Sequence, residues 1–227
     1  MRTLGLIGGM SAESTALYYS HLNRLARERL GGLHSARLAM ISIDFAPLAE
    51  MQARGEWDEA GQMMAAEARR LEAAGAEAIL ICANTMHIVA EAVEAAVEVP
   101  VLHICDATAA ALRAAGSRRP LLLATRFTME KDFYRDRLAQ AGIEAVVPGA
   151  DDRAALHAII YDELCQGVIS PASKAVVLDM IARAEGVDGV IFGCTEIGLL
   201  ISPDDLALPV VDTTLAHAQA GMAFALG

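Results

Sequence analysis

One segment of the chain places a thiol beside a hydroxyl and a carboxylate: Gly193-Cys194-Thr195-Glu196, directly after the apolar run Gly189–Phe192. A cysteine at a strand-to-helix junction is a candidate acid/base group, because the helix N-terminus stabilises a thiolate and lowers its pKa from about 8.5. A buried, inert cysteine is the commoner state of such a residue. Here Thr195 and Glu196 favour chemistry, with Glu196 either holding a proton or serving only as a first-turn helix acid. A second segment, Ala83-Asn84-Thr85-Met86-His87, follows the run Glu77–Ile81. Asn84 and Thr85 suit a helix N-cap, and equally suit a carboxylate held at exposed N–H groups of a helix start. His87, one turn further on, reads as structural. The third segment, Gly5–Met10, lacks the GxGxxG spacing of a dinucleotide turn and the GK[ST] of a phosphate loop. It reads as a tight glycine turn, with Met10 and Ser11 offering the floor and a backbone N–H of a small-molecule cleft.

These segments all sit where short apolar runs give way to longer amphipathic ones. Strands are expected at 3–7, 36–43, 77–81, 99–104, 120–124, 143–147, 189–192 and 208–212. Helices are expected at 14–29, 58–74, 85–96, 108–115, 129–141, 151–166, 171–184 and 213–225. Alternation of this kind predicts an α/β fold with mainly parallel, buried sheets flanked by helices. The strands fall into two sets of four that echo one another: LGLIGGMS with LLLATRFT, and ILICANTMH with VIFGCTEI. Two four-stranded lobes related by a pseudo-twofold axis are therefore expected, residues 1–105 plus 213–227 and residues 106–212. Ligand crevices in open α/β sheets lie at the carboxyl ends of strands, so the active site is expected in the cleft between the lobes.

Composition excludes several function classes. A net charge of −11, with no stripe of Lys and Arg, disfavours nucleic acid, whereas a small anion needs only a few local donors. Hydrophobic residues make up 55% and aromatics 4%, enough for a core of Ala, Leu, Ile, Val and Met. No stretch has the length of a membrane helix, and the first apolar run is too brief for a secretory signal. The four cysteines, Cys82, Cys105, Cys165 and Cys194, show neither CxxC nor Cys/His metal spacing. A cytoplasmic, reduced protein is expected, with no metal and no membrane partner.

GLIGGMSAEST, SIDF followed by QARGEWD, ANTMH, ATRFTMEKDFY, and FGCTEIGLL followed by PVVDTT run from end to end of the chain. In this order they resemble the aspartate/glutamate racemase family, most closely its bacterial broad-specificity branch. The resemblance implies two similar α/β lobes, a homodimer, no cofactor, and an amino-acid substrate. It also implies the chemistry: one thiolate removes the α-proton and a thiol on the opposite face returns one. Without pyridoxal phosphate, the carbanion must be stabilised by hydrogen bonds to its carboxylate. Cys194 matches the second family cysteine, with Asn84, Thr85, Thr195 and the N–H groups of Met10 and Ser11 around the α-carboxylate and Thr125 at the mirrored first turn.

The chain departs from the pattern at the first thiol, whose position is Ala83. Cys82, one residue earlier, points to the other face of the strand and cannot substitute. A water beside Ala83 could act as the second acid; otherwise the enzyme would be slow or one-handed. Ala12 replaces a frequent aromatic. Cys165 stands where some aspartate-specific relatives carry a lysine, which favours a broader substrate range. Gln52 and Arg54 are expected in a loop after the second strand, Gln52 with Cys165 at the substrate side chain and Arg54 either on a carboxylate or in solvent. Two alternatives use the same fold: a one-cysteine isomerase or decarboxylase of a small dicarboxylate, and a non-catalytic amino-acid-binding protein.

Overall fold

The computed structural model describes the whole chain, Met1–Gly227, in two units, Met1–Ile104 with His217–Gly227, and Cys105–Ala216. In the first, β1 (Leu4–Gly8) is the middle of a parallel sheet, with β2 (Leu38–Ser42) and β3 (Ala78–Ile81) on its two sides. Every residue of β1 is buried, so both of its faces must be covered. Strand alternation assigns the faces. Leu4, Leu6, Leu80 and Cys82 join one apolar cluster with Tyr18 and Leu22 of α1 (Ala12–Leu30). Ile7, Ile79 and Ile81 join the other, with Met64, Ala68 and Leu71 of α3 (Trp57–Ala73). Between β2 and α3 lies α2 (Phe45–Arg54), capped by Asp44 through the N–H of Ala46 and closed by Gly55 in the left-handed region.

The turn after β1 depends on its glycines. Gly9 has φ +94°, and a Cβ there would overlap the backbone of Ile43. A Cβ on Gly8 would overlap Thr15, whose hydroxyl accepts from the Gly9 N–H at 2.7 Å and donates to the Ser11 carbonyl at 2.7 Å. Three buried histidines pack together in this unit. His217 Nε2–H donates to the Leu102 carbonyl at 2.6 Å, which leaves Nδ1 to accept from the Tyr18 hydroxyl at 2.7 Å. The His87 ring lies 4.5 Å from that of His103 and 5.7 Å from that of His217, centroid to centroid.

The second unit repeats the plan. After α5 (Ile104–Ala114), β4 (Pro120–Leu123) pairs with the central β5 (Gly189–Phe192), which pairs with β6 (Val210–Asp212), all parallel. Helices α6 (Arg126–Glu130), α7 (Asp132–Gln140), α8 (Ala150–Ala158), α9 (Pro171–Ala182) and α10 (Ile197–Leu200) complete it. The last helix, α11 (Thr213–Leu226), begins in this unit and ends in the first. No helix is long and apolar enough to cross a membrane.

Three expectations are corrected. Each sheet has three strands where four were expected: the runs 99–104 and 143–147 each make a single parallel bridge, Ile79 to Val101 and Leu121 to Val146. Pro100 and Pro148 flank these bridges and lack the N–H that would extend a ladder. The helix expected at 85–96 is a 3₁₀ helix, Thr85–Val89, followed by the single turn α4 (Ala90–Glu94). The helix expected at 151–166 is α8, then a π-helical turn at Ile159–Glu163, then a 3₁₀ turn at Leu164–Gln166.

Candidate active site

β5 is buried along its whole length and delivers Cys194 at its carboxyl end. The turn can form there because residue 193 is glycine: its N–H donates to the Leu123 carbonyl at 2.7 Å, and a Cβ would lie 2.8 Å from Leu122. Cys194 is partly exposed, while Thr195 and Glu196 are buried. The Glu196 carboxylate gathers three donors. Oε2 accepts from the Cys194 thiol at 2.8 Å and from the Thr195 hydroxyl at 2.7 Å, and Oε1 lies 3.9 Å from the Cys165 sulfur. Cys165 comes from the 3₁₀ turn after the π-helical turn, a kind of irregularity common at functional sites.

This arrangement overturns the expected electrostatics of Cys194. Its pKa is pushed well above the ordinary thiol value, first because the sulfur is shielded from water, then because the Glu196 carboxylate lies beside it, with Cys165 a lesser cause. The helix that was to lower it, α10, has only four residues and supplies little dipole. The resting group is a thiol that donates, not a thiolate.

Tyr161, in the π-helical turn and one helical turn before Cys165, belongs to the same cluster although the sequence reading passed over it. Burial raises its phenol pKa, and the neighbouring Cys194, Cys165 and Glu196 side chains add to the rise. Its ring lies 4.5 Å from that of His157, whose pKa is lowered by burial and then by Arg126. An aromatic four residues before Cys165 was the available signal. Thr125 caps α6, accepting from the Thr128 N–H at 3.4 Å.

The other candidates lie in the first unit. Ser11 caps α1, accepting from the Ser14 N–H at 3.2 Å, and the Met10 side chain packs into the core beside Ile7. Asn84 precedes the 3₁₀ helix in αR conformation, and its side chain does not cap that helix. The capping role weighed for it is therefore absent. Thr85 is buried beside it. Gln52 is not in a loop: it is buried on α2, and its amide donates to the Met86 sulfur at 3.1 Å. That contact brings Gln52 to the Asn84–Met86 turn. Arg54 ends the same helix, and its guanidinium is engaged with both oxygens of Glu56 at 2.8 and 2.9 Å. Of its two possible roles, the exposed ion pair is the one observed.

Ala83 is half-buried against the α3 face of the sheet, whereas Cys82 is fully buried in the α1 cluster. Burial drives the Cys82 pKa upward. His87 fixes residue 83: its Nδ1–H donates to the Ala83 carbonyl at 2.8 Å while Nε2 accepts from the Ile104 N–H at 3.2 Å. This neutral tautomer accounts for His87 as a structural clamp.

A family model described as Asp/Glu/hydantoin racemase matches residues 7–221. The chain belongs to the Asp/Glu/hydantoin racemase family. A crystal structure from Yersinia pestis assigned to the Asp/Glu racemases is 48% identical, with full coverage of both chains and a TM-score of 0.92. An aspartate racemase homologue from Pyrococcus horikoshii OT3 is 35% identical, also with full coverage of both chains and a TM-score of 0.86. Aspartate racemase from Picrophilus torridus shares the fold at 22% identity and a TM-score of 0.80, covering 99% of this chain and 94% of that one. The protein is thus an isomerase of the racemase class, and its α/β units are those of the racemase fold. The second unit holds the Cys194 thiol in contact with the Glu196 carboxylate. No group of three or more His, Cys, Asp or Glu is arranged to hold a metal ion.

Proposed function

We propose that the protein racemises a small polar amino acid, with aspartate and glutamate as the leading candidates, without a cofactor, and that Cys194 moves the proton at one face of the α-carbon. The observation that carries this reading is the Cys194 thiol itself, on a partly exposed residue at the end of β5 and hydrogen-bonded to the Glu196 carboxylate. In one direction the thiol gives its proton to the planar carbanion; in the other, the deprotonated sulfur takes the α-proton. Asn84, Thr85, Thr195 and the N–H groups of Met10 and Ser11 bind the α-carboxylate in this account, and Gln52 and Cys165 face the substrate side chain.

Residue 83 is alanine and has no proton to exchange, so water serves the opposite face. The two directions then run through unlike groups and differ in rate. The test is chiral chromatography of each enantiomer incubated with the protein and with Cys194→Ser: conversion by the first and none by the second is expected. Equal conversion by both proteins would reject Cys194. The reading includes a homodimer in the cytoplasm; light scattering at the mass of one chain would remove the dimer from it.

One observation favours a second reading. A cysteine held as a thiol, with no acid/base group at residue 83, suits a reaction whose carbanion arises by loss of carbon dioxide and needs one proton from one face. Turnover of a malonate-type dicarboxylate, with no amino-acid conversion, would select it.

A further inference from the structure

Glu196 was expected at the substrate site, either as a carboxylate that holds a proton or as no more than a first-turn helix acid. Its surroundings favour the proton-holding role. The residue is only 2% exposed, and its two oxygens face side chains of its own unit: Cys194 and Thr195 on Oε2, Cys165 on Oε1. A buried carboxylate is costly unless hydrogen-bonded, and these donors help to satisfy it. In return the carboxylate directs the Cys194 S–H along the 2.8 Å line to Oε2 and places a negative charge against the sulfur.

We propose that Glu196 is the positioning residue for Cys194: it holds the sulfur as a proton donor and is the acceptor to which that proton passes when the sulfur must act as a base, while Thr195 and Cys165 hold Glu196 in place. The proposal rests on the reading of Cys194 as the reacting thiol, and it deepens that reading by making the two catalytic directions unequal. Donation from Cys194 breaks an S–H bond and forms the C–H bond directly. Abstraction first requires the S–H proton to move to Oε2, leaving a thiolate beside a neutral carboxylic acid; the α-proton then passes to sulfur. That first transfer runs uphill, because a thiol is ordinarily a weaker acid than a carboxylic acid. The step therefore slows the direction that needs it.

The groups facing the Cys194 sulfur within its unit are Glu196 from its own turn, Cys165 from the 3₁₀ turn and Tyr161 from the π-helical turn, with Arg126 and His157 beyond Tyr161. Of these, Glu196 makes the short contact, so its replacement has a defined sign. The experiment measures thiol ionisation rather than turnover, so its failure is distinguishable from failure of the racemase reading. Iodoacetamide alkylation of Cys194, quantified by peptide mass spectrometry across pH, gives the ionisation midpoint in the unaltered protein and in Glu196→Gln.

Removing the charge while keeping the shape is expected to lower the midpoint by about one pH unit or more. Glu196→Asp, which withdraws the carboxylate by one methylene, is expected to lower it by less. Midpoints unchanged or raised in both variants, even with loss of thermal stability, would reduce Glu196 to a structural residue and overturn the proposal. Should neither variant fold, the unaltered protein still decides. The infrared S–H band lost in Cys194→Ala is expected at the low frequency of a strongly hydrogen-bonded thiol; a band at the free-thiol position would overturn the proposal.

Discussion

At the residue scale, proximity to a carboxylate outweighs the helix terminus. The junction of β5 with α10 suggests a lowered thiol pKa, yet shielding and the neighbouring Glu196 reverse the direction. Residue 83 gives the complementary prediction. Ala83 stands at the carboxyl end of β3 with its carbonyl fixed by His87, so a new side chain there would be held in a defined place. Ala83→Cys is expected to accelerate the slower racemisation direction more than the faster one, measured as initial rates from each enantiomer. Equal acceleration in both directions would show that residue 83 serves neither face of the α-carbon.

At the element scale, the β1–α1 turn is built on a conformation only glycine adopts readily. Gly9→Ala combines φ +94° with overlap of the Ile43 backbone, and is expected to cost at least the 1–3 kcal/mol typical of a strained backbone position, about. Thermal unfolding checks this; an unchanged midpoint would mean the turn relaxes without loss. Much of this level was legible in the sequence. The buried strands β1, β3, β4 and β5 announce themselves as apolar runs before small-residue turns, and the spacing of Tyr18, Leu22, Leu25 and Ala26 marks the inner face of α1.

What was not legible follows from short-range competition. The helix α2 carries Pro47 in its first turn, a residue usually read as a breaker but tolerated there. Residues 159–166 keep a helical hydrophobic pattern while their hydrogen bonds shift from α to π to 3₁₀, and periodicity alone does not register that shift. The Cys165–Glu196–Cys194 cluster joins residues 31 positions apart, a juxtaposition that only the fold reveals.

At the scale of the whole molecule, acid sensitivity is predicted from groups outside the candidate site. His217 is fully buried and neutral; burial lowers its pKa from 6.5 to about 4, although the bond to Leu102 works the other way. The unfolded chain therefore binds a proton more readily than the folded one between these values. Stability is full above pH 6.5 and falls as pH drops towards 4, by about 3 kcal/mol at the low end. Asp188 adds to the loss only below its unfolded value of 3.8: desolvation opposes its charge, but bonds from Ser117 and from the N–H groups of Arg118 and Arg119 outweigh it and lower its pKa. Urea unfolding between pH 7 and pH 4 is expected to show this loss, and His217→Met, less stable at pH 7, to show a flatter dependence. A parallel pH profile in the variant would exclude His217 as the source.

The claim on which the functional account turns is that the Cys194 sulfur exchanges a proton with an amino-acid α-carbon. Proton NMR of each enantiomer of aspartate, glutamate and other polar amino acids in D₂O measures this directly. Loss of the α-proton signal is expected for at least one of them with the unaltered protein, at different initial rates for its two enantiomers, and is expected to vanish with Cys194→Ser. Retention of every α-proton by the unaltered protein, or undiminished exchange in the variant, would contradict it.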